Sequence, residues 1–527
     1  MDQGVDAVVV GAGIAGLTAA ALLAHEGLQV ELLEAHGQSG GCAGTFRRGP
    51  YVFDVGATQV AGLEPGGSHA RIFRHLGLDL PAATPLDPGC VVHLGDGSRP
   101  VSLWRNPQRW REERSRQFPG SEAFWQLCSR IHAANWSFAG RDPVLPPRSP
   151  WDLARLLGAL GPGNLATSLL LGATVADLLR LCGCSGDLRL RRFLDLQLRL
   201  YSQEPADRTA ALYGATVLAM AQEPHGLWHL HGSMQNLSTA LEQALSAAGG
   251  RIRLRHRVEH LQRHGGRWRV QGHRQGDGRG PVPFHCEAAD VVLAIPPQGL
   301  PALLGAEALP GSYRARLTGL PDPSGALVLY AAVDRRALPQ DCPGHLQTDW
   351  PDPGPLFLSV SQPGDGRAPE GQATVIASVF TPARPWFGLE PGAYRAAKRE
   401  ALDGIQRGVA QLLGLAPADW RHVELATPRG FARWTGRPFG FVGGLGQRPG
   451  SFGPFGLASR TPLEGLWLCG DAIHPGEGTA GVSLSALMAC RQLLARRGRN
   501  LVLGGTPATA APRRERELSG ASEEAGA

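Results

Sequence analysis

Gly11, Gly13 and Gly16 stand at G-x-G-x-x-G spacing, with Ala15 between the last two and an acid at Glu34. Each glycine suits a different need: Gly11 permits a tight turn, Gly13 lets the backbone approach a pyrophosphate, and Gly16 lets a helix pack closely. The phosphate charge then meets the unpaired N–H groups and positive dipole end of the helix that follows. Glu34 suits hydrogen bonds from ribose hydroxyls and disfavours a 2′-phosphate. The alternative, an ordinary tight turn, leaves the acid and the flanking periodicity without a reason. This is dinucleotide-binding chemistry.

The paired Gly40-Gly41 just beyond the acid, and a second glycine-rich loop near the far end, separate FAD from NAD. There Gly470-Asp471 leaves a short strand, and Gly476-Glu-Gly-Thr-Ala-Gly481 leads into a helix from Val482. Asp471 suits a ribityl hydroxyl, and the amides of Gly481 and Val482 aim at the pyrimidine end of a flavin. A capping aspartate at a plain strand-turn-helix is the bland alternative. His474 and Glu477 flank this loop, where they either steer a proton or brace the turn.

These residues must be held by a βαβ opening: a strand over 6–10, a helix over 14–26 and a second strand over 29–34. The pattern turns helical over 105–218 with a proline hinge at 143–150, and 226–250 reads as loop and helix. Strands are expected at 252–255, 267–270 and 290–295, with a turn at Gly265-Gly266. Residues 301–454 read as a second layer, mainly sheet. The expected fold is α/β: a Rossmann-like FAD-binding domain (1–104, 226–300 and 455–501) carrying an inserted mixed sheet-and-helix substrate domain (105–225 and 301–454). A tail at 502–527, without periodicity, is expected to be disordered.

At these motifs the chain resembles the carotenoid desaturase and isomerase branch of the flavin amine-oxidase superfamily. The resemblance runs from residue 5 to about 500 and rests on the fingerprint, Gly40-Gly41, Tyr51-Val-Phe-Asp-Val-Gly56, Ala289-Asp-Val-Val-Leu-Ala-Ile-Pro296 and the 466–478 loop. Within that branch, 41–46, 54–62 and 226–235 look most like the cyanobacterial C-3′,4′ desaturases. The resemblance implies a glutathione-reductase or amine-oxidase type of FAD domain, main-chain contacts from Val258 to the adenine, and Gly56 with Ala57 beside the flavin ring. It implies a carotenoid substrate, a membrane lipid surface as partner, and quinone or oxygen as electron acceptor. Many relatives have arginine directly after the paired glycines, where this chain has Cys42. Two other readings share the fold: a carotenoid cis-trans isomerase, and a non-enzymatic binder of prenylated proteins, which the intact glycines disfavour.

Flavin amine oxidases typically keep a lysine near the flavin and two caging aromatics. The one lysine here, Lys398, lies in a charged helical stretch expected to be a solvated face. Phe431, Trp434, Phe439 and Phe441 suit an apolar channel or local packing, and Trp228, His229, His231 and Gln235 suit either packing or an active-site wall. A net charge of +6, spread along the chain without a basic run, gives no nucleic-acid signal. Nine cysteines without metal or disulfide spacing point to reduced thiols and no metal. No secretion signal is read at the start of the chain, so a cytoplasmic, peripherally membrane-associated protein is expected. Residues 165–181 are expected to form one greasy helix, either core or lipid-facing.

Overall fold

A computed structural model describes residues 4–276 and 280–504. Two sheets organise it. The first has the order His256–His264, Arg267–Gln275, Pro281–Leu293, Val5–Val10, Val30–Leu33, Arg251–Arg253, with Leu466–Leu468 also paired to Pro281–Leu293. Val5–Val10 runs parallel to both neighbours, Val10 lying opposite Leu33 on one side and Leu293 on the other. A strand covered on both faces needs an unbroken apolar run, and Ala7 to Val10 provides one. The helix Ile14–His25 is buried from Ile14 to Ala24. It packs between the helices Gln235–Ala247 and Thr479–Arg496, which its many alanines let approach closely.

The second sheet has the order Trp420–Ala426, Gly325–Asp334, Gln372–Thr381, Leu356–Val360, His345–Thr348, Val91–His93, Val101–Ser102. All ten residues of Gly325–Asp334 are buried. Its period-two alternation explains how: Leu327, Leu329, Ala331 and Val333 face a core with Ile405 and Val409 of the helix Pro391–Leu413, while Ala326, Val328 and Tyr330 face Phe53 and Phe431. The helices between Pro107–Gln117 and Ala211–Leu218 form a third mass around Trp110, Phe124, Trp125 and Phe193.

The expected βαβ opening, the turn at Gly265-Gly266 and the second sheet are present, giving a Rossmann-like FAD-binding fold with an inserted sheet-and-helix part. Three expectations differ. Residues 165–181 are not one helix but Pro162–Ser168 and Val175–Leu181. The break has a local cause: Thr174 and Asp177 form a reciprocal capping box that starts a new helix after Gly172. The expected boundary at 104 leaves Val91–His93 and Val101–Ser102 on the cofactor side, yet both strands extend the second sheet, where Leu346 pairs with Val91. Trp228–Leu230 is a strand where a loop is expected. The expected tail lies outside the described residues from 505 onward. Among the described residues no helix is long and apolar enough to cross a membrane.

Candidate functional site

The glycines explain the geometry of the first loop. Gly11 has φ +97°, a conformation glycine adopts without penalty, and a Cβ on Gly16 would lie 1.8 Å from the Gly11 carbonyl oxygen. A Cβ on Gly13 would meet nothing within 4 Å, so its backbone is bare toward the cavity at the N-terminus of Ile14–His25. Glu34 is fixed rather than free: one carboxylate oxygen accepts from the Ala12 amide at 2.7 Å and the other from the His36 amide at 2.7 Å. Each oxygen keeps a lone pair for a ligand hydroxyl. Gly40 (φ +110°) donates to the Ala12 carbonyl at 2.8 Å, which lays Gly40-Gly41 against the same turn. Val258 sits at a register shift in its strand and lines the cavity beside Arg257.

The second loop arrives from the other end of the chain. Gly470 (φ +121°) follows the strand Leu466–Leu468 and donates to Ser485 Oγ at 2.8 Å, while Gly476 (φ +116°) and Gly478 (φ +83°) lead into the helix Thr479–Arg496. Asp471 pairs with Arg437 at 2.9 Å. Glu477 Oε1 accepts from the Gly444 amide at 3.0 Å and from Gln203 Nε2. Burial first, and Asp471 second, push the Glu477 carboxyl up to about 8. Burial holds His474 down at about 4, so it is neutral near pH 7. Its ring lies 5.7 Å from Phe452, and among the described residues its Nδ1 has no hydrogen-bond partner. Gly56 and Ala57 lie under Cys42, whose carbonyl accepts the Ala57 amide at 3.3 Å.

Both loops line one cavity of about 1470 Å³, larger than the usual ~300–1,000 Å³ of a single small-molecule site. Beyond the 470–478 loop its walls are mainly apolar, including Tyr201, Leu212, Val217, Met220, Phe357 and Phe452, with Asn135 and Thr216 among the few polar groups. It reaches Leu156, Leu160 and Leu171 at a rim where Leu153, Leu157, Leu165 and Leu169 are exposed, Leu169 by 88 %.

The aromatic expectations divide. Phe431 lines the cavity; Trp434 does so only beside His36, at the dinucleotide end. Phe439 packs against Phe387 under Arg384, and Phe441 is buried away from the cavity. Trp228, His229, His231 and Gln235 are not in its wall. His229 instead joins a buried network in which Arg367 contacts Asp54 at 2.9 Å and His229 pairs with Asp365 at 3.1 Å. Lys398 is not a fully solvated side chain: it is half-buried and reaches the cavity edge one turn from Tyr394, with no hydrogen bond or ion pair to the 470–478 loop among the described residues. Arg437 and Gln203 are site residues that motif reading missed. Arg437 stands by Cys42, where its charge partly offsets the upward push of burial on the thiol, so a guanidinium serves this loop from a distant segment. Among the described residues no three or more His, Cys, Asp or Glu side chains are gathered so as to hold a metal ion.

The family description "Flavin containing amine oxidoreductase" matches residues 14–494. The chain belongs to this family. Its curated relatives include a chloroplastic prolycopene isomerase of Arabidopsis thaliana, 26% identical over 93% of this chain and 82% of that protein. A hydroxyneurosporene desaturase of Cereibacter sphaeroides is 28% identical over 93% of this chain and 97% of its own. Among solved structures, putrescine oxidase bound to putrescine aligns with TM-score 0.59 at 18% identity, covering 94% of this chain and 99% of its own. Cyclohexylamine oxidase from Brevibacterium oxydans aligns with TM-score 0.58 at 18% identity, covering 93% and 100%. These two establish the shared fold. As a flavin containing amine oxidoreductase the protein is an oxidoreductase whose cofactor is FAD. The bare Gly13 backbone, the anchored Glu34 carboxylate and the two helix N-termini fit a dinucleotide.

Proposed function

We propose that this flavin containing amine oxidoreductase is a desaturase of an acyclic carotenoid, such as a lycopene derivative, acting at the C-3′,4′ bond. The observation that carries the proposal is the apolar cavity running from the flavin loops to a leucine rim. Such a chamber suits a long hydrocarbon and excludes water from the reacting carbons. Bound FAD supplies a two-electron acceptor for a hydride from carbon. Gly11, Gly13, Ala15, Gly16 and Glu34 hold its adenosine and pyrophosphate, with Gly40, Gly41 and Val258 completing that half. Gly56, Ala57, Gly470, Asp471, Gly481 and Val482 would hold its ring and ribityl chain. Glu477 handles the proton that desaturation releases, and neutral His474 shapes the wall beside it.

The cofactor domain takes residues 1–90, 226–300 and 455–501, and residues 91–225 and 301–454 shape the substrate chamber. The leucine rim rests on a lipid surface from the cytoplasmic side, so a membrane-dissolved substrate enters without crossing water. Quinone or oxygen closes the redox cycle.

A second reading has one observation in its favour. A carboxyl held up to about 8 is mostly protonated near neutrality, which suits an acid that protonates a polyene for cis-trans isomerisation. Coexpression in a bacterial host that makes lycopene or hydroxylated lycopenes separates the two. Desaturation gives a product two hydrogens lighter that absorbs at longer wavelength; isomerisation gives equal mass and overturns the desaturase reading.

A further inference from the structure

A second cavity, of about 850 Å³, abuts the first. The two share a wall of Leu200, Phe357, Ser378 and Phe380, and the second has none of the leucines of the substrate rim. Its character is also different: Arg199, Asp207 and Arg208 are exposed at its edge, and Glu204 and Arg448 pair at 2.6 Å within it. The second cavity is thus the more polar of the two.

Gln203 is the partition between them. It lines the second cavity, and its side-chain amide reaches the Glu477 carboxyl on the flavin side. The amide is fully used: Nε2 also donates to the Gly444 carbonyl at 3.0 Å, and Oε1 accepts from the Ser324 amide at 2.8 Å. Gln203 has φ +60° at the end of the helix Leu188–Ser202, a left-handed position that glycine or asparagine occupies more readily. The conformation is what aims the amide at Glu477. The other groups that face Glu477 are Asp471, Arg437 and the Tyr213 hydroxyl, all enclosed on the flavin side.

We propose that Gln203 and the second cavity form the outlet by which Glu477 exchanges its proton with solvent, along a path separate from the substrate mouth. The need arises from the function proposed above, on which this inference rests for its source of protons. When a saturated carbon pair becomes a double bond, one hydrogen is lost with both bonding electrons, which bound FAD would accept. Its neighbour leaves as a proton to a Glu477 oxygen. With a long polyene filling the apolar chamber, water has no room at the rim. The proton then leaves Glu477 for water admitted past Gln203, and the carboxylate is restored for the next turnover. Gln203 is thus a positioning residue, acting through Glu477.

The outlet is tested in the resting, FAD-loaded protein on phosphatidylcholine vesicles saturated with squalane, an inert hydrocarbon that fills the chamber. At about pH 6, where the Glu477 carboxyl is protonated, its infrared band is assigned by its loss in Glu477→Gln. On transfer to heavy water the wild-type band shifts promptly; in Gln203→Met, which is similar in volume and without donors, the exchange slows at least about ten-fold. Gln203→Ala, which leaves room for water, exchanges as fast as wild type. Gln203→Leu gives a second plugged variant if the methionine protein loses its flavin. Wild-type exchange in a plugged variant that keeps its flavin overturns the outlet, as does a wild-type band that is missing. Neither result touches the substrate assignment, which the coexpression products decide separately.

Discussion

Glu34 and Glu477 are both acids in the cavity wall, and their surroundings give them opposite uses. Glu34 is fixed by two amides at the dinucleotide end. Replacing it with alanine removes ribose acceptors and leaves the Ala12 and His36 amides unpaired, so FAD affinity should fall by about 1–3 kcal/mol, readable as a weaker dissociation constant in flavin titration. Glu477 is held protonated by burial, and its folded value of about 8 lies above its ordinary 4.5. A raised value means that its stabilising contribution is present below 4.5 and lost as pH rises through about 8. Between these limits wild type should therefore lose melting temperature relative to Glu477→Gln; parallel curves would show that the carboxyl titrates normally. As a base for desaturation it also requires the turnover rate to climb with pH up to about 8, whereas an acid for isomerisation requires a fall. The glycines were legible because a turn, a close approach and a positive φ each leave a mark on residue type. Arg437 and Gln203 were not, because their partners Asp471 and Glu477 are brought to them only by the folded chain.

Hydrophobic periodicity located most strands of the first sheet and the helix Ile14–His25, yet it passed over His256–His264 and misjudged 165–181. The apolar residues there looked continuous, and the capping box at Thr174 and Asp177 that breaks them is polar and local. The break matters for function. Leu165 and Leu169 face outward, whereas Leu171 turns into the cavity wall. Changing Leu165 and Leu169 together to glutamate should release the protein from vesicles in a flotation assay with its flavin retained; unchanged flotation would remove this surface as the lipid contact. The strand pair that includes Tyr51–Asp54 depends on a different feature. Arg367 is buried between Asp54 and Asp365, so Arg367→Ala strands two carboxylates and should cost about 3–5 kcal/mol in denaturant unfolding. A loss confined to activity would instead return the His229 cluster to the active site.

The whole molecule divides its labour between two sheets. The first sheet presents glycine turns from positions separated by most of the chain, and the second sheet presents one face to its covering helix and the other toward the chamber. The sheet content of both parts was readable from alternation and turns. The crossover of Val91–His93 into the second sheet was not, since short strands carry little periodicity and parallel pairing joins distant segments. This division keeps phosphate recognition on a rigid scaffold and leaves the insertion to set the substrate. The function proposed for it is that of an FAD enzyme oxidising a hydrocarbon, and the most direct test is anaerobic single turnover. Purified protein loaded with FAD is mixed with an acyclic carotenoid in vesicles, and flavin absorbance and carotenoid mass are followed together. The account predicts that the flavin bleaches as a carotenoid two hydrogens lighter forms in equal amount. A flavin that stays oxidised while the carotenoid is untouched or merely isomerised would contradict it.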